Sequence, residues 1–88
     1  MVHGGPWRLR SRLYVLTPPL LAGSDRLIEY VRQVIAGGAG MIQYRAKDAT
    51  TRVMVEDCQR LVAVTRRAGA PLIVNDRVDV ALAVGADG

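Results

Sequence analysis

Three short strand-like segments, each followed by a helical pattern, recur at intervals of about thirty residues along the chain. They cover residues 13–16, 41–45 and 72–74. Each is too short for a helix and is bounded by turn-forming residues, which predicts buried strands. The spacing is that of one βα unit. Because consecutive βα units give parallel strands joined by right-handed crossovers, the sequence predicts an α/β fold with a parallel sheet.

The predicted helices begin at capping residues and end at glycines. Ser24 is the expected N-cap of the first helix, which ends at Gly37 and Gly38; Asp48 and Thr50 compete to cap the second, which ends at Gly69. A third helix is predicted over 77–84 and ends at Gly85, with Asp76 and Asp79 in a capping arrangement.

Composition narrows the classes of function. The 88 residues contain no Phe and one Trp, so the core is expected to be aliphatic, as in parallel sheets covered by helices. The net charge of +4 is spread along the chain without aromatic interleaving, which argues against a nucleic-acid partner. Residues 1–12, with Arg8, Arg10 and Arg12, are interpreted as a solvated basic arm.

A single cysteine and a single histidine limit the available chemistry. Cys58 can form no internal disulfide and falls on the apolar face of the second helix, so we expect it to pack in the core of a cytoplasmic protein. With His3 as the lone histidine, the chain can build no His-based triad or zinc cluster. No apolar run approaches a signal peptide or a membrane span, so no membrane partner is expected.

Polar side chains gather where the second and third strands end. Strand alternation places Gln43 and Arg45 on one face with Met41, and Asn75 on one face with Ile73. In a βα barrel that face points inward, and Arg45 and Asn75 would lie at the C-terminal rim, where active sites are found. An internal salt bridge in the barrel mouth is the alternative interpretation.

The residue types at this rim suit a phosphorylated ligand. Arg45 supplies a fork of donors and Lys47 a point charge, a combination that binds phosphate or diphosphate. Asp76 is a hard oxygen ligand suited to Mg²⁺, although spacing alone favours helix capping. Asn75 can either contact a heteroaromatic ring or tie the loop to its own backbone. These residues predict a Mg²⁺-assisted phosphate or diphosphate site without naming the substrate.

Three segments, LYVLT, GAGMIQYRAKDA and RAGAPLIVNDRVDVALAVGADG, strongly resemble the N-terminal half of the thiamine-phosphate synthase family. The resemblance implies a (β/α)₈ TIM barrel that joins hydroxymethylpyrimidine diphosphate to hydroxyethylthiazole phosphate, giving thiamine phosphate and diphosphate. It also implies that the pyrimidine diphosphate is bound by Gln43, Tyr44, Arg45, Ala46, Lys47 and Asn75. Arg45 and Lys47 match the diphosphate contacts that assist its departure, and Asp76 matches one of two Mg²⁺ aspartates.

The resemblance covers residues 13–88, interpreted as a partial TIM-barrel domain truncated before strand 4. The second metal aspartate and the thiazole-phosphate site are expected beyond Gly88, so the chain alone is expected to be inactive. Bare strand edges also predict self-association, and a homo-oligomer is considered. Two alternatives stay open: a thiazole tautomerase of the same fold, and a non-catalytic half-barrel remnant.

Overall fold

The computed structural model describes residues 13–88; the predicted basic arm lies outside this range. Three strands alternate with helices. The elements are β1 (Tyr14–Leu16), a short 3₁₀ helix (Pro19–Leu21), α1 (Arg26–Ala36), β2 (Met41–Tyr44), α2 (Thr51–Ala68), β3 (Leu72–Val74) and α3 (Val78–Val84). The βα alternation read from the sequence is confirmed, with boundaries that differ by one or two residues.

The three strands form one parallel sheet in the order β1-β2-β3. Leu16 lies opposite Gln43, and Gln43 lies opposite Ile73. Each strand therefore pairs with the strand of the next βα unit, and all three C-terminal ends meet at one edge of the sheet. This confirms the predicted α/β fold with a parallel sheet.

One face of the sheet is covered by the helices and forms the core. Ile42, Tyr44, Leu72 and Val74 point into it and are almost completely buried. They pack with side chains from all three helices, namely Leu27 and Val31 of α1, Cys58 and Leu61 of α2, and Val80 of α3. The core is aliphatic apart from Tyr44 and Cys58, and the core location predicted for Cys58 is confirmed.

The opposite face of the sheet is open. Tyr14 and Leu16 expose 46% and 39% of their surface there, and their sheet neighbours Met41, Gln43 and Ile73 are half-buried. Gln43 is thus on the face that strand alternation predicted, away from the helices. Arg45 lies past the end of β2 and is exposed.

The observed helix boundaries test the capping predictions made from the sequence. Thr50 caps α2, its hydroxyl accepting from the Val53 N–H at 3.1 Å, so it prevails over Asp48. The Ser24 hydroxyl does accept from the first helical N–H, that of Arg26, but Asp25 occupies the N-cap position. The capping role of Asp76 is wrong: α3 starts at Val78, after Arg77, without a side-chain cap.

Residues 86–88 return along the outer edge of β3. The Val74 N–H donates to the Gly88 carbonyl at 2.7 Å, and the Gly88 N–H donates to the Leu72 carbonyl at 3.2 Å. This alternation is that of a parallel ladder. The Asp87 carboxylate accepts from the Leu72 N–H at 2.8 Å. The expectation of a bare β3 edge is therefore wrong, because main-chain and side-chain groups of residues 86–88 form hydrogen bonds with the main chain at this edge.

Within residues 13–88, no helix combines the length and the hydropathy that crossing a membrane requires.

Candidate functional site

A cleft of about 300 Å³ opens at the C-terminal edge of the sheet. It is lined by Pro19, Arg45, Ala46, Lys47 and Asn75. Pro19 belongs to the segment after β1, the next three residues follow β2, and Asn75 follows β3. Four of the residues predicted to bind a ligand are thereby brought together from two βα units, as the shared edge of a parallel sheet allows.

The two cations of the cleft are available to a ligand. Arg45 and Lys47 are both exposed. Among residues 13–88, neither side chain takes part in an ion pair or a side-chain hydrogen bond. The internal salt bridge considered from the sequence is not formed within these residues. A fork of guanidinium donors and a nearby ammonium group are thus presented to the cleft without competing anions attached to them.

The main chain beneath Arg45 is held by β1. The Thr17 N–H donates to the Gln43 carbonyl at 2.9 Å. The Thr17 hydroxyl accepts from the Arg45 N–H at 3.0 Å and also lies 3.5 Å from the Arg45 carbonyl oxygen. Thr17 is 1% exposed. This residue closes β1 against the segment that carries the cations, and sequence alone gave no signal for the contact.

Asn75 and Asp76 form a polar pair at the neighbouring strand end. The Asn75 amide donates to the Asp76 carboxylate at 3.1 Å, and the Asn75 N–H donates to the Tyr44 carbonyl at 3.0 Å. Asp76 is exposed and has a φ of 58°, in the left-handed region. Asp76 tolerates this conformation better than most residues because its short polar side chain can bond locally. Asp76 is therefore exposed at the rim, its carboxylate accepts from Asn75, and it does not cap α3.

Two other predicted residues lie on opposite faces of β2. The Gln43 amide donates to the Tyr14 hydroxyl at 2.9 Å on the open face, below the cleft. The Tyr44 side chain is 1% exposed and lies on the helix-covered face. Strand alternation directs this side chain away from the cleft, so a contact between Tyr44 and a ligand would involve its main chain, whose carbonyl accepts from the Asn75 N–H.

A buried carboxylate that the sequence reading missed supports this edge of the sheet. Asp57 of α2 is fully buried and accepts from the Tyr44 hydroxyl at 2.6 Å and from the Gly23 N–H at 2.8 Å. Arg60 donates to its other oxygen at 3.1 Å. Burial, together with Asp57, raises the pKa of Tyr44. The sequence does contain a signal for this role, because Asp57 stands beside Cys58 on the apolar face of the predicted helix. A charged side chain buried at such a position requires polar partners.

Arg77 fastens the loop after β3 to the start of α2. Its guanidinium donates to both carboxylate oxygens of Asp79, at 2.9 and 2.8 Å, and to the Thr51 hydroxyl at 3.0 Å. These hydrogen bonds from Arg77 lower the pKa of Asp79 to about 2. Both carboxylate oxygens of Asp79 thus accept from Arg77, whereas the carboxylate of Asp76 accepts from Asn75.

The carboxylates do not form a complete metal site on their own. No group of three or more His, Cys, Asp or Glu side chains within 13–88 is arranged to hold a metal ion. Mg²⁺, however, is often held by one or two carboxylates together with substrate phosphates and water. The exposed carboxylate of Asp76, next to the cleft-lining Asn75, fits that kind of ligand set.

A larger groove, of about 330 Å³, lies between α1 and α2. Its lining consists of Arg32, Ile35, Ala36, Ala63, Val64, Arg67 and Ala68. It offers neither a carboxylate nor a hydroxyl and contains none of the predicted residues. Because the convergent polar groups lie at the sheet edge instead, we assign the candidate site to the smaller cleft.

Comparison with known proteins identifies the family of this chain. The sequence profile of a family described as thiamine monophosphate synthase matches residues 13–88. The chain is 54% identical over 77 residues to a thiamine-phosphate synthase of Chloroflexus aurantiacus, covering 88% of this chain and 36% of the relative. It is 51% identical over 79 residues to that of Roseiflexus castenholzii, covering 90% of this chain and 35% of the relative.

A solved structure gives the same result. A thiamine phosphate pyrophosphorylase from Pyrococcus furiosus superposes with a TM-score of 0.78 at 49% identity, covering 86% of this chain and 36% of that one. The chain spans about a third of the length of these relatives. Because the family profile matches all but the first twelve residues, the chain belongs to the thiamine monophosphate synthase family.

Proposed function

We propose that this chain supplies the pyrimidine-diphosphate half of a thiamine-phosphate synthase site. The reaction would join hydroxymethylpyrimidine diphosphate to hydroxyethylthiazole phosphate, forming thiamine phosphate and releasing diphosphate. The observation that carries the proposal is the cleft in which Arg45, Lys47 and Asn75 converge, with neither cation in an ion pair among residues 13–88. Membership of the family and the names of its relatives support the same reaction.

In this proposal each residue acts through its chemistry at the rim. Arg45 and Lys47 would bind the diphosphate and stabilise the negative charge that grows on it as its bond to the pyrimidine methylene breaks. Asn75 would orient the pyrimidine ring, and Gln43 would line the floor on the open face. Asp76 would hold Mg²⁺, which when bound supplies further positive charge to the leaving diphosphate.

The fold proposal is that β1, β2 and β3 are the first three strands of a (β/α)₈ barrel, with the open face inside. Helices cover one face only, as in a barrel wall. The ladder bonds between β3 and residues 86–88 are those that a following parallel strand would make. The second metal carboxylate and the thiazole-phosphate site would then come from later βα units. The single buried cysteine is in keeping with a cytoplasmic location.

The test is diphosphate release by the protein in its natural length, measured against Mg²⁺ concentration with both substrates present. Lys47→Ala should lower turnover about a hundred- to a thousand-fold, the effect of losing one preorganised donor to a developing oxyanion. Asp76→Asn should weaken the Mg²⁺ dependence and reduce turnover while sparing the fold, because Asp76 caps no helix. Arg67→Ala, at an exposed arginine of α2 outside the cleft, is the charge-matched control.

Near-normal turnover in Lys47→Ala would contradict the proposal. Wild-type protein that binds thiazole phosphate but releases no diphosphate would favour the tautomerase alternative, and failure to bind either substrate would favour a non-catalytic remnant.

A further inference from the structure

We propose that Thr17 is a positioning residue for Arg45, fixing the main chain from which the cleft presents its cations. The importance of Thr17 for ligand binding rests on the proposed function, since it requires that Arg45 contact the diphosphate. The structural part of the proposal does not depend on that function, because it concerns only how the two strand ends are joined.

The geometry singles out the Thr17 hydroxyl. β2 ends at Tyr44, so the polar main-chain groups of Arg45 lie beyond the regular ladder. The Arg45 N–H finds its acceptor in a side-chain oxygen, at 3.0 Å, and the carbonyl of the same residue lies 3.5 Å from that oxygen. A hydroxyl is the small group that can accept from one and donate to the other. The Thr17 hydroxyl thus contacts both polar main-chain groups of Arg45.

Burial restricts the motion of the Thr17 side chain and so keeps its hydroxyl in place beside Arg45. Thr17 is 1% exposed, and as a β-branched residue it has few rotamers available. Its own N–H is already bonded to the Gln43 carbonyl at 2.9 Å, which sets its height against β2. The next two residues are prolines, whose rings restrict the backbone leading to the cleft wall.

The contact also joins the two walls of the cleft. Pro19, two residues after Thr17, lines one wall, and Arg45, Ala46 and Lys47 line the other. Without the hydroxyl, the bond from the Thr17 N–H to the Gln43 carbonyl would still join the two strands, but the Arg45 N–H would lose its acceptor on β1. We therefore expect loss of the hydroxyl to act on ligand affinity by loosening the placement of Arg45, although Thr17 lines no part of the cleft.

The experiment compares variants that differ in a single hydroxyl. Thr17→Val replaces the hydroxyl with a methyl group and changes the shape little. Thr17→Ala removes the hydroxyl without adding a methyl group, and Thr17→Ser keeps the hydroxyl. Thr65→Val is the matched control, because Thr65 is equally buried and its hydroxyl donates to Val62 within α2, away from the cleft. The readouts are amide hydrogen exchange at Arg45 and the Kd for hydroxymethylpyrimidine diphosphate with Mg²⁺, both measured on the protein in its natural length.

Thr17→Val and Thr17→Ala should each speed exchange of the Arg45 amide and raise the Kd about tenfold, the scale of one lost hydrogen bond. Thr17→Ser should return both values to within about threefold of wild type, and Thr65→Val should alter neither. Unchanged exchange at Arg45 in both hydroxyl-free variants, or an equal rise in Kd for Thr65→Val, would overturn the positioning role. Equal binding by wild type and Arg45→Ala would instead refute the proposed function, while exchange at Arg45 would still decide whether Thr17 holds the strand end.

Discussion

At the scale of single residues, a few buried polar groups hold the cleft-bearing edge of the sheet together. Asp57 connects α2 to Tyr44 of β2 and to Gly23 in the segment before α1. Beside it, Cys58 is fully buried among apolar side chains. Hydrogen bonds to a charged group contribute about 1.5–3 kcal/mol each, so this carboxylate matters more to stability than exposed charges such as Glu56.

This buried cluster predicts a loss of stability at alkaline pH. Burial, assisted by the charge of Asp57, raises the pKa of Cys58 to about 12, and burial also raises that of Tyr44. Both groups stay protonated in the folded protein, whereas in the unfolded chain Cys58 loses its proton from about pH 9 upward. The stability that these protonated groups contribute is fully present below about pH 9, and it declines as the pH rises toward their pKa values in the folded protein. Each retained proton lowers the free energy of unfolding by about 1.4 kcal/mol per pH unit.

The measurement is the free energy of unfolding in urea between pH 7 and about 11, for wild type, Cys58→Ala and Tyr44→Phe. Each variant should lose part of the alkaline slope even if it is less stable at neutral pH. A wild-type profile that stays flat across this range, or an unchanged slope in Cys58→Ala, would contradict the prediction.

At the scale of elements, helix ends decide how the βα units connect. α2 is the best-defined helix, with a Thr50 cap at its start and Arg66 and Arg67 in its last turn, where cations interact favourably with the helix dipole. It ends at Gly69, whose φ of 75° lies in the left-handed region. α1 ends differently, because Gly37 keeps a right-handed conformation with a φ of −81°.

These two helix ends make opposite predictions for the same substitution. Gly69→Ala should reduce the free energy of unfolding by about 1–2 kcal/mol, because a Cβ is disfavoured in the left-handed conformation even with open space around it. Gly37→Ala should be neutral or stabilise by up to about 1 kcal/mol, because its backbone suits alanine and a Cβ would meet only ordinary contacts. Thermal and urea denaturation of the pair provide the measurement. Equal effects at the two sites would refute the conformational explanation.

The elements also show what sequence could and could not predict. Strand existence and the face occupied by Gln43 followed from short apolar runs and a two-residue period, and the structure confirms both. The capping role of Asp76 was wrong because the left-handed turn at this residue delays α3 to Val78. Capping spacing is local, but the turn depends on how β3 leaves the sheet. Thr17 and Asp57 could not be assigned their partners, because those contacts join residues 28 and 34 positions apart.

At the scale of the whole molecule, the two faces of the sheet differ sharply. α2 contacts α1 and α3, and together the helices bury one face. The other face presents Tyr14, Leu16 and the half-buried Met41 and Ile73 to solvent. Exposed apolar side chains of this kind favour association with another surface, since burying apolar area is favourable.

We therefore expect the isolated 88-residue chain to self-associate through the open face. Leu16→Glu places a charge on that face and should shift the sedimentation profile toward monomer. Leu82→Glu is the control, because Leu82 is 78% exposed on α3, on the helix side of the sheet, and its change should leave association unaltered. A wild-type chain that sediments as a monomer at all concentrations tested would contradict the expectation, as would an equal effect of the two substitutions.

The strand order has a consequence for how the site assembles during folding. Each strand pairs with the next in sequence, so both closures in the sheet span loops of about thirty residues. Loop-closure entropy rises only slowly with length, so these closures carry similar entropic penalties and neither must await a distant part of the chain. Residues 17–76, which contain every group that lines the cleft, can therefore reach their positions one unit at a time, each strand serving as the template on which the next one docks.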